Sequence, residues 1–221
     1  MLKWFLRIFL ILLLDIIVSC AFLWNSNLRA HFSAPLDAVL DVGIVFYSGE
    51  VAKTRRLDKA ISDYKAGLLE HLIIVGGCRP KKNFFASEVW RQNAHEQGVP
   101  IENIFIGGGS FESKGNLAQA SKIVTGKNWA NVALYSDPIH LNRIKKDVAK
   151  NAYFDGVQDL RLIKTPYDGG AFYQWYIVHY EGAAIISNWL PENLRLYLIK
   201  KLRVGGTKTD GDLHACGNSL S

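Results

Sequence analysis

His71-Leu72-Ile73-Ile74-Val75-Gly76-Gly77 is a short apolar run that closes on two glycines. A strand with one face in water alternates polar and apolar residues, whereas a strand covered on both faces reads as a continuous apolar run. Ile73-Ile74-Val75 is of the second kind, as central strands of a parallel sheet are. The paired glycines suit a tight turn where such a strand hands over to a helix.

The same pattern recurs on both sides of this segment. Apolar runs at Ala38 to Tyr47, Asn103 to Ile106, Asn131 to Ser136 and Leu160 to Lys164 alternate with amphipathic segments. Leu57, Ala60, Ile61, Tyr64 and Leu68 recur at helical spacing, with Gly67 as a stop. Further helices are predicted from about Phe84 to Gln97, Gly115 to Val124 and Leu141 to Asn151. Alternation of this kind implies βαβ units. The expected fold is therefore an α/β domain, a three-layer Rossmann-like parallel sheet with helices on both faces, preceded by one N-terminal transmembrane helix. From Ala171 the chain becomes aromatic and helical through Trp189, and Pro191 opens a basic amphipathic helix to about Arg203 with Leu194, Leu198 and Leu202 on its apolar face.

The chain has 221 residues, 49% of them hydrophobic and 21% charged, which suits one domain with appendages and excludes a disordered or low-complexity chain. Three cysteines do not make a disulfide scaffold or a thiolate zinc site. The net charge of +6 is spread over scattered pairs such as Arg55-Arg56 and Lys145-Lys146, with no basic stripe interleaved with aromatics. Nucleic acid is not an expected partner.

Ile8 to Trp24 is an apolar run behind Lys3 and Arg7, interrupted by Asp15. Its twelve Leu, Ile, Val and Phe residues favour insertion by about 6 kcal/mol in all, against a cost of about 3 kcal/mol for a central acid. A single-pass anchor is expected, with Trp4 and Trp24 at the two interfaces. Lys3 and Arg7 keep the N-terminus in the cytoplasm and place the body outside it. Ser19-Cys20-Ala21 also offers a signal-cleavage site and Ile17-Val18-Ser19-Cys20 a lipoprotein box, although the apolar sequence continues past both. The expected organisation is an anchor at 1–24, a linker at 25–37, the α/β domain at 38–203 and a polar, disordered tail at 204–221.

Ligands of parallel α/β sheets bind at the carboxyl ends of the strands. Here those ends are small or polar: Ser48 and Gly49, then Gly76, Gly77 and Cys78, then Gly107, Gly108 and Ser110, then Ser136, Asp137 and His140. Glycines let backbone N–H groups approach an anion, so an anionic ligand is expected. His140 and Arg143, three residues apart, share one face of a helix and suit the gripping or protonation of such a group. Arg56 lies within the first helix, on the edge of its apolar face. Ser48, Ser110 and Ser136 lack a G-x-S-x-G elbow, which disfavours a serine hydrolase. No metal site is expected.

In order along the chain, these pieces resemble the ElyC/SanA/YdcF family of bacterial envelope proteins, over about Val39 to Ile163. Arg56-Leu57 with Ala60 resembles the family's Arg-Leu-x-x-Ala helix, and Leu72 to Gly77 its second strand and glycine turn. Ser87-Glu88 followed by Gly98-Val99-Pro100 resembles its Ser-Glu helix and the lead into the third strand. Ser110, Ser113 and Asn116 stand at its Ser, Thr and Asn, and Ser136 with His140-x-x-Arg143 matches its Ser/His/Arg segment. Gly107 and Gly115 replace acids that are common in the family, so this is a divergent member.

The resemblance implies a membrane-anchored, extracytoplasmic protein of envelope biogenesis, at the bacterial inner membrane, that binds or acts on an anionic, peptidoglycan-related precursor or lipid carrier. His140 would transfer protons, while Ser48, Gly49, Arg56, Gly76, Gly77, Ser87, Glu88, Gly108, Ser110, Ser113, Asn116, Ser136 and Arg143 would hold the ligand. No cofactor is identified, and whether the chain turns a substrate over is left open. The alternatives are a non-catalytic module for a nucleotide or S-adenosylmethionine-type ligand, and an envelope scaffold using Phe172 to Trp189 as its partner surface.

Overall fold

The computed structural model describes residues 2–29, 36–47, 50–79, 84–108, 110, 113–165, 171–187, 189–195 and 197. Five strands form one parallel sheet: β1 (Leu40–Phe46), β2 (Leu69–Val75), β5 (Ile104–Gly107), β6 (Asn131–Ser136) and β7 (Asp159–Lys164), in the order β5-β2-β1-β6-β7. The register runs Ile44 to Ile73 on one side of β1 and Ile44 to Leu134 on the other. The connections reverse direction on either side of β1. This puts the topological switch point between β1 and β6, where open α/β sheets form their ligand crevice.

The crossovers are α2 (Glu50–Lys65), α3 (Ala86–Glu96), α4 (Ser113–Gly126) and α5 (Pro138–Asn151). Side chains alternate along each strand, so one sheet face buries Val45, Leu72 and Ile74 against Leu57, Ala60 and Ile61 of α2 and Trp90 and Ala94 of α3. The other face buries Ile44, Phe46 and Ile73 against Leu117 and Ala120 of α4 and Leu141 and Ile144 of α5. Both faces are thus covered, and each fully buried Leu, Ile or Val contributes about 1.5–3 kcal/mol. The predicted α/β architecture is the one observed.

Three features differ from the sequence expectations. Cys78–Arg79 and Phe84–Phe85 pair as a short antiparallel hairpin, β3 and β4, so α3 starts at Ala86 rather than Phe84. Helix α5 begins at Pro138, three residues before the predicted Leu141, because Asp137 caps it by accepting from the His140 N–H and Pro138 sits in its first turn. The N-terminal helix α1 runs Leu2–Arg29, five residues into the expected linker.

Helix α1 lies beside α5 and α6 (Ala171–Ser187) and exposes Phe9, Ile11, Leu12 and Leu14. Among the described residues no helix is long and apolar enough to cross a membrane. The side chains of Phe22, Leu23 and Trp24, which complete the apolar run, lie outside that description. Residues 192–195 are helical after Pro191, as expected, whereas Leu198, Leu202 and the tail at 204–221 fall outside the described residues.

Candidate functional site

Beyond the carboxyl ends of β1 and β6, three predicted residues meet directly. Ser136 closes β6 and is fully buried, and its Oγ lies 2.7 Å from His140 Nδ1. His140 Nε2 lies 2.9 Å from Ser113 Oγ, in the first turn of α4. Phe46, at the end of β1, sets its ring edge-on to the imidazole at 5.4 Å.

The direction of these hydrogen bonds follows from what a buried hydroxyl needs. His140 Nδ1 is the hydrogen-bond partner of Ser136 Oγ among the described residues, and an undonated buried O–H is costly. Ser136 therefore donates to Nδ1, which assigns the proton of the neutral ring to Nε2. Nε2–H then donates to Ser113 Oγ, and the Ser113 hydroxyl, which is partly exposed, has its own proton to offer outward. The Ser136–His140–Ser113 relay points donors toward the strand ends, and each bond polarises the next.

Arg56 is buried beneath this edge. Its Nη1 donates to the Phe46 carbonyl at 2.9 Å and its Nη2 is paired with Asp137. Its Nε is a buried donor with no partner among the described residues. Asp137 thus both pairs with Arg56 and caps α5 through the His140 N–H at 3.0 Å. This acid was not among the expected ligand-binding residues, yet Asp137-Pro138 is a helix-start signature that marks it.

Gly76 and Gly77 follow β2 with φ of +92° and +78°. A Cβ on Gly77 would lie 2.5 Å from the Ala86 Cβ and 2.7 Å from Tyr47, so the turn accepts no side chain. Asn116 of α4 reaches over Gly76, and its Oδ1 is a buried acceptor without a partner among the described residues. Gly115 is also closed to a side chain, because Ser110 Oγ occupies the space that a Cβ would fill. An acid like those of the resembled family has no room at position 115 in this packing.

Other expected site residues lie elsewhere. Arg143 directs Nε and Nη2 to Glu181 of α6, at 2.6 and 3.2 Å, so its guanidinium joins two helices. Burial works against the charge of Arg143, but the carboxylate of Glu181, helped by Asp147 and Tyr180, outweighs it and holds the pKa above the usual arginine value. Glu88 is exposed and lies 3.4 Å from Arg91, while Ser87 is buried in the first turn of α3. Gly108 follows β5 with φ of +41°. Ser48, Gly49 and the Cys78 side chain lie outside the described residues.

Among the described residues no cluster of His, Cys, Asp and Glu suits a metal ion. What the edge offers among the described residues is the Ser113 hydroxyl, which accepts from His140 Nε2–H and keeps its own proton, while Arg56 Nε and Asn116 Oδ1 are buried polar atoms without a partner there. No family model matches the sequence, and no curated protein is similar to it.

Proposed function

We propose that this chain is a membrane-anchored, extracytoplasmic protein of the bacterial envelope that binds the anionic, phosphate-bearing group of a cell-wall precursor or lipid carrier. The observation that carries the ligand part is the donor relay from Ser136 through His140 to Ser113, set at the β1/β6 switch point. A phosphate oxygen accepts hydrogen bonds and offers none, and it meets there a hydroxyl whose acidity the relay raises. Arg56, whose charge is offset by Asp137, lies beneath the site with its Nε–H as a buried donor that has no partner among the described residues.

The anchor part rests on the N-terminal apolar run and on the exposed Leu and Ile side chains of α1, a surface that suits hydrocarbon better than water. The positive-inside rule gives the orientation. The resemblance to the ElyC/SanA/YdcF family supplies the envelope context.

Calorimetric titration of the full chain in mild detergent with inorganic pyrophosphate tests the ligand part. Saturable binding should weaken about tenfold or more in His140→Ala, which removes the N–H that holds the Ser113 hydroxyl in place to donate to the charged group. Equal binding by wild type and His140→Ala, or none by wild type, refutes it. Reporter fusions before and after α1 test the orientation.

A further inference from the structure

We infer that α6 is a second membrane-contact surface, and that the domain is held at the lipid bilayer by α1 and α6 together rather than tethered by α1 alone. The inference rests on the anchor part of the proposal above and is independent of the ligand.

The first observation is the fate of Asp15. An acid inside an apolar helix costs about 3 kcal/mol in hydrocarbon unless donors satisfy it. Both of its carboxylate oxygens are met, and both partners are on α6: Trp175 Nε1 donates to Oδ2 at 2.9 Å, and His179 Nε2 lies 2.8 Å from Oδ1. His179 Nδ1 faces the Trp175 carbonyl at 2.8 Å, so both ring nitrogens face acceptors and the His179–Asp15 pair shares its protons without net charge. The indole and imidazole rings lie 4.3 Å apart. The segment that neutralises Asp15 must go where α1 goes.

The second observation is the character of the surface beside this contact. Trp175, Tyr176, Tyr180, Ile186 and Trp189 are exposed, the last by 84%. Trp and Tyr are the residues that settle at the boundary between acyl chains and headgroups, where an apolar ring and a polar tip are both accommodated. Helix α6 contacts α1, which exposes Leu and Ile of its own, and a bilayer is one partner that covers both at once. The opposite side of α6 is committed to the domain through Val178 and the Arg143–Glu181 pair, so the helix is a wall of the domain and not a second free tether. The site helix α5 then stands one layer from the lipid, which favours a lipid-linked headgroup over a soluble anion.

Trp fluorescence of the full chain in vesicles of phosphatidylcholine brominated at acyl carbons 6 and 7 tests this. The emission owed to α6 and its end is the difference between wild type and Trp175→Phe/Trp189→Phe; because Trp175→Phe also removes a donor to Asp15, Trp189→Phe alone is the check that leaves the Asp15 contact unchanged. That difference emission should fall at least twofold relative to unbrominated vesicles. If it is unchanged while the remaining tryptophans are quenched, α1 is in the bilayer and α6 is in water, which overturns the inference and leaves the anchor standing. If no tryptophan is quenched, the anchor reading falls and takes this inference with it.

Discussion

Arg143 of α5 and Glu181 of α6 form a buried ion pair through two hydrogen bonds, 2.6 and 3.2 Å long, three residues along the helix from His140. It fixes α5, the helix that carries the site, to α6. Removing one partner leaves the other charge buried and unpaired, which costs about 3–5 kcal/mol, whereas replacing both with apolar side chains is often near neutral. Arg143→Ala and Glu181→Leu should each lower stability by that amount in urea unfolding of the detergent-solubilised chain. The double variant Arg143→Met/Glu181→Leu should recover most of it. A double variant no more stable than either single one would mean that the pair does not hold the helices together.

This contact also marks where sequence reading stops. The parallel strands were legible because burial on both faces writes itself as runs such as Ile73-Ile74-Val75, and the helices because one apolar face repeats at 3.6 residues. Ser136 and His140 lie just where β6 ends and α5 begins, the position that the strand pattern predicts for them. The direction of the Arg143 side chain was not legible, since its partner lies 38 residues later on a helix whose docking is a tertiary event. Ser113 reaches His140 across 27 residues for the same reason, without any local motif. The hairpin at Cys78–Arg79 and Phe84–Phe85 has strands of two residues, too short for any periodicity.

Gly67 and Gly77 share a left-handed backbone but not its surroundings. Gly67 has φ of +73° and open space around a built Cβ, so Gly67→Ala should cost about 1–2 kcal/mol, the strain of the backbone alone. At Gly77 the same strain is joined by overlap with Ala86 and Tyr47, which adds about 1–3 kcal/mol. Thermal unfolding of the two variants should separate them by that difference, and Gly77→Ala should also weaken pyrophosphate binding. Equal stability losses would mean that the turn after β2 relaxes freely.

Asp41 offers a control at the opposite end of the sheet. Its carboxylate accepts from the Ala130 and Asn131 backbone N–H groups at 2.7 and 2.8 Å and so ties β1 to the start of β6. Bonds to a charged group contribute about 1.5–3 kcal/mol each, so Asp41→Ala should destabilise the domain by about 2–4 kcal/mol once part is recovered by water. Below its unfolding temperature the variant should bind pyrophosphate as wild type does. A loss of binding with stability unchanged would place a ligand-linked role at the wrong edge and count against the switch-point crevice.

Ser136 decides the chemistry of His140 without reaching the open edge. If its hydroxyl donates to Nδ1, the ring is held with its proton on Nε2, and nitrogen-detected NMR of labelled histidine should find Nδ1 unprotonated and Nε2 protonated in the folded chain. Ser136→Ala removes that donor, leaves Nδ1 a buried acceptor, and lets the ring turn to the other tautomer, in which Nε2 no longer donates. The variant should show mixed tautomers and lose about 1 kcal/mol of stability, with pyrophosphate binding weakened about fivefold. Ser136→Thr, which keeps the hydroxyl, should restore the tautomer wherever its methyl group is accommodated. Finding the wild-type proton on Nδ1 instead would reverse the relay, make His140 an acceptor toward Ser113, and turn the site from one that grips an anion into one that draws a proton from a serine.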